Sequence, residues 1–218
     1  MKSLIIIIAA GLLIAAASSQ QSFAQYKIPD KSKVDTKELR NSWGVGLDYS
    51  EGGFGPMIAY YLPSGSNSDF LFKLSFSGYS DSKEIQRTDI NGNVFIENKV
   101  NRIFTMPLSI GWRVEPFKAD LDGSFNPVFS IGMAPTLVLY NPYDQEFFSA
   151  IDDTKTKFAF GGFTGIGFTY QQSEGVSMNM NFNYYYTPII GGGVYSVENS
   201  EIKNIGGFQI SFGVNFLN

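Results

Sequence analysis

Asp48, Lys73 and Arg113 fall on strand-like segments at positions whose neighbours on the same face are Gly, Ser, Thr and Asn. Arg102 is a further candidate for that face, and Glu115 stands close by. Cations and carboxylates gathered on a face of small residues could do two kinds of chemistry. They could pair and neutralise one another inside a packed interior, or they could form a narrow gate for ions or small solutes. The strand register expected from the sequence puts Lys73 and Arg113 on adjacent strands near one end of the structure, with Glu115 beside them. Asn179, Asn181, Asn183, Tyr185 and Gln209 would line either version with neutral donors and acceptors.

Other chemistry is scarce. The chain has no His and no Cys. Proton transfer near pH 7 needs a group titrating there, so Ser-His-Asp, Asp-His and Ser-His-Glu sites are impossible, and His-ligated metal sites fall with them. An enzyme working through carboxylates alone is the catalytic form left. No phosphate loop or dinucleotide fingerprint is present, and Gly191-Gly192-Gly193 reads as the start of a flexible loop. Asp89-Ile90-Asn91-Gly92-Asn93 and Asp120-Leu121-Asp122-Gly123 resemble calcium loops. Neither has the full ligand spacing or the distal Glu, and turn chemistry accounts for both. No enzymatic activity, metal or cofactor is expected.

The elements that must hold the polar face are strands. In VSMNMNFNYYY, Val176, Met178, Met180, Phe182, Tyr184 and Tyr186 alternate with Ser177, Asn179, Asn181, Asn183 and Tyr185. A period of two puts these sets on opposite faces of a sheet. The same pattern predicts strands at 42–50, 54–62 and 70–77, then at 104–113, 127–140, 157–171 and 208–216. PSGSNSD at 63–69 reads as a turn. Asn91-Gly92 signals a two-residue hairpin, so the third and fourth strands are expected to run on as one protruding hairpin. Pro107 and Pro135 sit inside predicted strands, where local bulges are expected. The count is eight, and even, with long connections mostly at one end and shorter turns mostly at the other.

Residue size decides which face looks out. Eight strands enclose a space just wide enough for side chains to fill. The Gly, Ser, Thr and Asn face fits there, whereas the Phe, Trp and Tyr rows would overfill it. A water-exposed face would also carry more Lys and Glu than the polar rows do. Trp43, Tyr49, Trp112, Tyr140, Tyr170 and Tyr186 lie near strand ends, where a lipid-facing aromatic girdle belongs. The fold class expected is therefore all-β, an eight-stranded antiparallel up-and-down transmembrane β-barrel. Were the apolar face turned inward, the chain would instead be a soluble lipocalin-like lipid carrier.

Met1 to Ala24 carries Lys2, an apolar run from Leu4 to Ala17 and the small-x-small ending Ser22-Phe23-Ala24. This reads as a secretory signal peptide, its apolar core shorter than the roughly 20 residues of a spanning helix. The expected layout is signal peptide 1–24, flexible periplasmic segment 25–41 and barrel 42–218. Lys and Arg number 16 against 20 Asp and Glu, a net charge of −4. Removing Lys2 makes it −5, which argues against a nucleic-acid partner. With aromatic residues at 16% of the chain, 23 Gly and no Cys for disulfides or acylation, the composition is that of an exported membrane barrel.

Two segments carry a family resemblance. IFTMPLSIGWRV, Ile103 to Val114, and NPVFSIGMAPTLVLY, Asn126 to Tyr140, resemble strands of the porin-like, small eight-stranded outer-membrane β-barrel proteins of Gram-negative bacteria. FQISFGVNFLN at the C-terminus is similar to their assembly strand, although most members end in an aromatic residue. The resemblance implies the cell outer membrane as location, with lipid, lipopolysaccharide and the assembly machinery as partners. The expected role is structural or interactive, through outer loops and the hairpin bearing Asp89, Asn91, Gly92 and Asn93, toward a surface protein or small-solute ligand. A narrow channel for ions or small solutes is the alternative from another class.

Overall fold

The computed structural model describes residues 41–90, 92–117, 125–173 and 175–217. The expected leader, the lead-in as far as residue 40, Asn91 and the Asp120 to Gly123 turn lie outside them. In chain order the strands are β1 (Ser42–Ser50), β2 (Gly53–Gly65), β3 (Ser68–Ser75), β4 (Ser77–Tyr79) and β5 (Gln86–Thr88). There follow β6 (Val94–Ile96), β7 (Asn101–Val114), β8 (Phe125–Met133), β9 (Thr136–Pro142) and β10 (Lys155–Ala159). The last are β11 (Gly162–Gln171), β12 (Val176–Tyr186), β13 (Val194–Tyr195), β14 (Glu201–Ile202) and β15 (Gly207–Leu217).

β4 continues β3, β9 continues β8 and β11 continues β10, so the wall has eight antiparallel staves. It closes where Ser42 to Ser50 of β1 pair with Leu217 to Gln209 of β15. Closure satisfies every wall strand on both sides and leaves no open edge. Gly46 and Gly213 pair across the seam, and a Cβ on either would collide with the Met57 side chain. At Gly46 the Phe212 carbonyl oxygen is closer still, so that position has no room for a methyl group, whereas at Gly213 the nearest atoms are flexible side-chain ends.

The bulges expected at Pro107 and Pro135 are absent. β7 keeps one register past the break, with Ile110 opposite Met133 and Pro107 opposite Thr136. Leu108 N–H still donates to the Pro135 carbonyl at 2.9 Å. Each proline simply omits one ladder donor. The register shifts instead at the inner turn, between Pro63 and Gly65. There β2 and β3 run on to Gly65 and Ser68, so much of the segment expected as a turn is strand, and Asp69 gains a place in the wall.

The protruding hairpin also differs from expectation. β4 pairs with β7 in the wall, while β5 and β6 form a separate two-stranded ribbon. Its last pair is Thr88 with Val94, so the connection runs from Asp89 to Asn93 and is longer than a two-residue turn. Asp89 closes it: its carboxylate accepts from Asn93 N–H at 2.8 Å and from Asn93 Nδ2 at 3.0 Å. Gly92 supplies the left-handed backbone, with φ of +84°.

Two apolar clusters are enclosed. Ala59, Tyr61, Leu71, Ala134, Phe163 and Tyr185 meet inside the barrel. Ile103, Val138, Ala159, Ile189, Val194 and Ile202 meet at the outer mouth.

Candidate functional site

The polar interior is built in two tiers. In the inner tier Arg113 and Asp69 are register partners on β7 and β3. Arg113 donates from Nε and Nη2 to Asp69 Oδ2 at 3.2 and 2.9 Å, and from Nη2 to Glu115 Oε1 at 3.0 Å. Its guanidinium lies over the Tyr61 ring, 4.5 Å from the centroid. In the upper tier Lys73 Nζ donates to Asp48 Oδ1 and Oδ2 at 3.3 and 3.1 Å, to Gln209 Oε1 at 2.9 Å and to Ser211 Oγ at 3.1 Å. Ser75 Oγ donates to the same carboxylate. Asp48 is 1% exposed and Lys73 5%.

Lys73 and Arg113 lie on adjacent strands, with Glu115 on Arg113, but each cation has its own carboxylate partner. Lys73 sits opposite Ser109, four residues up the wall from Asp69, and reaches across to Asp48 on β1. Asp69 was missed because its surroundings in sequence have turn composition. The signal available was its spacing, since Asp69, Leu71, Lys73 and Ser75 share one face. Arg102 is a second correction. It points outward, donates to the Pro142 and Gln145 carbonyls at 2.9 and 3.0 Å, and stacks over Tyr143.

Asn179, Asn181 and Asn183 all face inward. Asn179 Nδ2 donates to Asn215 Oδ1 at 2.8 Å and Asn181 Nδ2 to Asn179 Oδ1 at 3.3 Å, while Asn183 Oδ1 accepts from Ser130 Oγ at 3.4 Å. Tyr185 hydrogen-bonds Ser109 through its hydroxyl at 3.0 Å and stacks on Phe163 with centroids 5.2 Å apart. Between the tiers, bounded by Tyr61, Lys73, Arg113, Asn181, Asn183 and Tyr185, a cavity of about 20 Å³ remains, room for about one water.

The outside is the reverse of the inside. Trp43, Leu47, Phe72, Leu108, Ile131, Ile166 and Phe212 all stand exposed around the wall. On β7 the outward row runs Phe104, Met106, Leu108, Ile110, Trp112. At about 3.3 Å per residue and a tilt near 40°, that row is about 20 Å tall, most of the ~25 Å apolar band of a membrane barrel. Among the described residues no helix is long and apolar enough to cross a membrane, and strands make the crossing. A closed sheet with this face outward can be solvated only by lipid.

The chain is a transmembrane β-barrel of the outer-membrane type. The soluble lipocalin-like alternative fails, because it requires the apolar face inside. Of the girdle positions, Trp43, Trp112 and Tyr170 are exposed toward the end with the termini, and Tyr49 and Tyr186 toward the other. Tyr140 does not join them. It shares the face of Thr136 and Val138 and packs half-buried against the cluster at the outer mouth.

No protein-family model and no curated protein sequence matches the chain. Solved barrels do resemble it. Neisserial surface protein A is 12% identical over 81% of this chain and 94% of that one, with a TM-score of 0.49. The Yersinia pestis attachment invasion locus protein Ail is 8% identical over 83% and 99%, with a TM-score of 0.47. The N-terminal barrel domain of Pseudomonas aeruginosa OprF is 11% identical over 83% and 98%, also with a TM-score of 0.47. At such values the fold rests on the pairing and exposure described above, not on the likeness.

The sequence did not announce the cap on the outer mouth. The segment from Pro188 to Lys203, in which the sequence pattern predicts no strand, contains the hairpin of β13 and β14 and folds onto the barrel end. Ser196 O accepts from Val100 N–H at 2.7 Å, Lys157 Nζ donates to the Gly193 carbonyl at 2.6 Å, and Ser200 Oγ donates to Asp81 at 2.7 Å. Lys99 and Glu84 form an ion pair at 2.7 Å, both side chains largely buried, and Ser196 Oγ donates to the same Glu84. The apolar spacing of Ile189, Val194, Val197 and Ile202 among Gly, Ser and Asn was the legible trace of this packing.

Glu201 is an exposed carboxylate of the cap, accepting from Gly193 N–H at 2.8 Å. That bond holds its pKa below the ordinary carboxylate value, with Lys203 and Lys157 adding to the effect. A lowered folded pKa means the contribution is complete above the unfolded value, about 4.3, and is lost as pH falls through the folded one. Protection of the Gly193 amide, taken as its exchange rate relative to an unstructured peptide at the same pH, is therefore expected to fall in the wild type as pH drops below the ordinary carboxylate range. In Glu201→Gln the protection should lose that step, and an unchanged acid step would assign it to another group.

Proposed function

We propose that this barrel is an outer-membrane interaction protein whose binding element is the β5–β6 ribbon. In this reading residues 1–24 direct export and are removed, 25–41 remain on the periplasmic side, and the assembly machinery inserts 42–218 among lipid and lipopolysaccharide. One observation carries the role. The ribbon pairs only with itself among the described residues, so both of its strand edges are available to a partner strand. It also holds apolar side chains in water: Ile85, Ile90, Val94 and Phe95 are all exposed, Ile90 completely. Exposed apolar side chains on both faces of a ribbon with two open edges support a binding role.

The test is a ribbon exchange. Replacing residues 86–96 by a short Gly-Ser turn keeps Glu84 and Lys99, so the cap's ion pair survives. Cells displaying the wild type are expected to adhere to one another or to a coated surface several-fold better than cells displaying the exchange. Heat-modifiable gel migration should stay the same in both. Equal adhesion with both barrels folded would remove the proposal.

Conduction is not expected. Both charged tiers are paired, the cavity between them has room for about one water, and the cap folds over the outer mouth. Purified wild type and Lys73→Ala should both be silent in planar bilayers, since Lys73→Ala opens one tier only. Ohmic steps from wild type would restore the channel reading.

A further inference from the structure

NPYDQEFFSAIDDTKT, residues 141–156, spans the loop between β9 and β10, and its charges suit water. Its aromatic pair does not. Phe147 is 47% exposed, Ile151 51% and Phe148 82%, the most exposed aromatic ring among the described residues. These three are not scattered. Phe76 and Phe104, both on the outward face of the wall, stack at 5.9 Å with ring planes 5° apart. Phe104 meets Phe147 edge to face at 6.1 Å, and Phe147 meets Phe148 edge to face at 5.4 Å. The lipid-facing belt is thereby carried off the wall and onto the loop without a break.

The loop is fixed in that position from behind. Arg102 holds the Pro142 and Gln145 carbonyls, and Gln145 donates to Asp153 at 2.9 Å. Ala150, in the 3-10 turn Ser149–Ile151, is fully buried against the body. With Ala150 inward, Phe148 and Ile151 are left facing away from the body. Height follows from β7: Phe104 is the last apolar residue of the outward row and Arg102 the first charged one, so a ring seated on Phe104 lies at the polar boundary of the lipid. Asp144, Glu146, Asp152 and Asp153 flank the apolar residues in the sequence and are exposed, so the loop carries a charged side as well as an apolar one.

We propose that this loop is a shoulder that rests in the outer leaflet, with Phe147, Phe148 and Ile151 in contact with acyl chains just below the headgroups. It rests on the membrane-barrel reading and is independent of the ribbon. Lipid is the occupant, because the patch continues the lipid-facing belt on the flank of the barrel rather than lying on its top.

A single-tryptophan reporter tests it. Full-length Phe148→Trp in a Trp43→Phe, Trp112→Phe background is refolded into phosphatidylcholine vesicles, with or without acyl chains dibrominated at carbons 6,7 or 11,12. The shoulder predicts blue-shifted emission, quenched about twofold or more by the 6,7 lipid, less by the 11,12 lipid, and little by aqueous iodide. Emission at the water value with iodide quenching would overturn it. So would blue-shifted emission indifferent to bromine, which would mean that protein, from this chain or a second copy, covers the ring. Ile90→Trp on the ribbon should show the water-exposed response. Phe72→Trp in the belt should be quenched by bromine, and its indifference would overturn the membrane reading and the shoulder with it.

Discussion

Asp48→Ala is expected to destabilise the barrel by about 3 to 5 kcal/mol, the usual cost of removing one partner from a buried ion pair. Lys73 would keep the neutral acceptors Gln209 and Ser211 and the Tyr185 ring around a buried ammonium, and Ser75 would lose the carboxylate it donates to. Replacing both charges tests the cause. Asp48→Leu with Lys73→Met retains similar volume and strands no charge, and such exchanges are often neutral. The double variant should therefore recover most of the loss. Urea titration of the refolded barrel, followed by the fluorescence of Trp43 and Trp112, measures both. A single variant within about 1 kcal/mol of wild type would mean that the pair is hydrated, against the enclosure described here.

Phe72→Arg is the second large effect, with about 2 to 4 kcal/mol expected for an arginine near the bilayer midplane. Phe72 pairs with Tyr60 on one side and Ile110 on the other, in the middle of the outward belt. Arginine at Phe95, which is also exposed but on the ribbon in water, should change stability by no more than about 0.5 kcal/mol. The contrast matters because Phe72 and Phe95 have similar exposure, 39% and 43%. Only the identity of the solvent differs between them. Equal effects in the urea titration would contradict a lipid-facing wall.

Much of this architecture was legible because strand alternation is local. VSMNMNFNYYY states its two faces without help from any other segment, and residue size then states which face fits inside. Tyr140 was legible too, because it shares the spacing of Thr136, but its place near a strand end suggested a girdle instead. The prolines misled in the other direction. A proline within a ladder suggests a bulge, yet the pairing of Pro107 with Thr136 shows that the wall loses a donor and keeps its count. Asp69 and the cap were hidden by composition, since turn-like and polar stretches conceal single inward residues.

By itself the sequence determined the exposed apolar belt, the small polar interior and the number of staves, because a period of two and the width of an eight-stranded barrel act on each segment separately. Only the tertiary structure decided which charges meet. Asp48 and Lys73 lie on β1 and β3, with β2 between them, where Gly55 and Ala59 stand at the intervening register positions. They touch because the sheet curls on itself, bringing non-neighbouring strands within reach of one ammonium. Curvature of that kind arises from the whole closed wall, and no single segment encodes it.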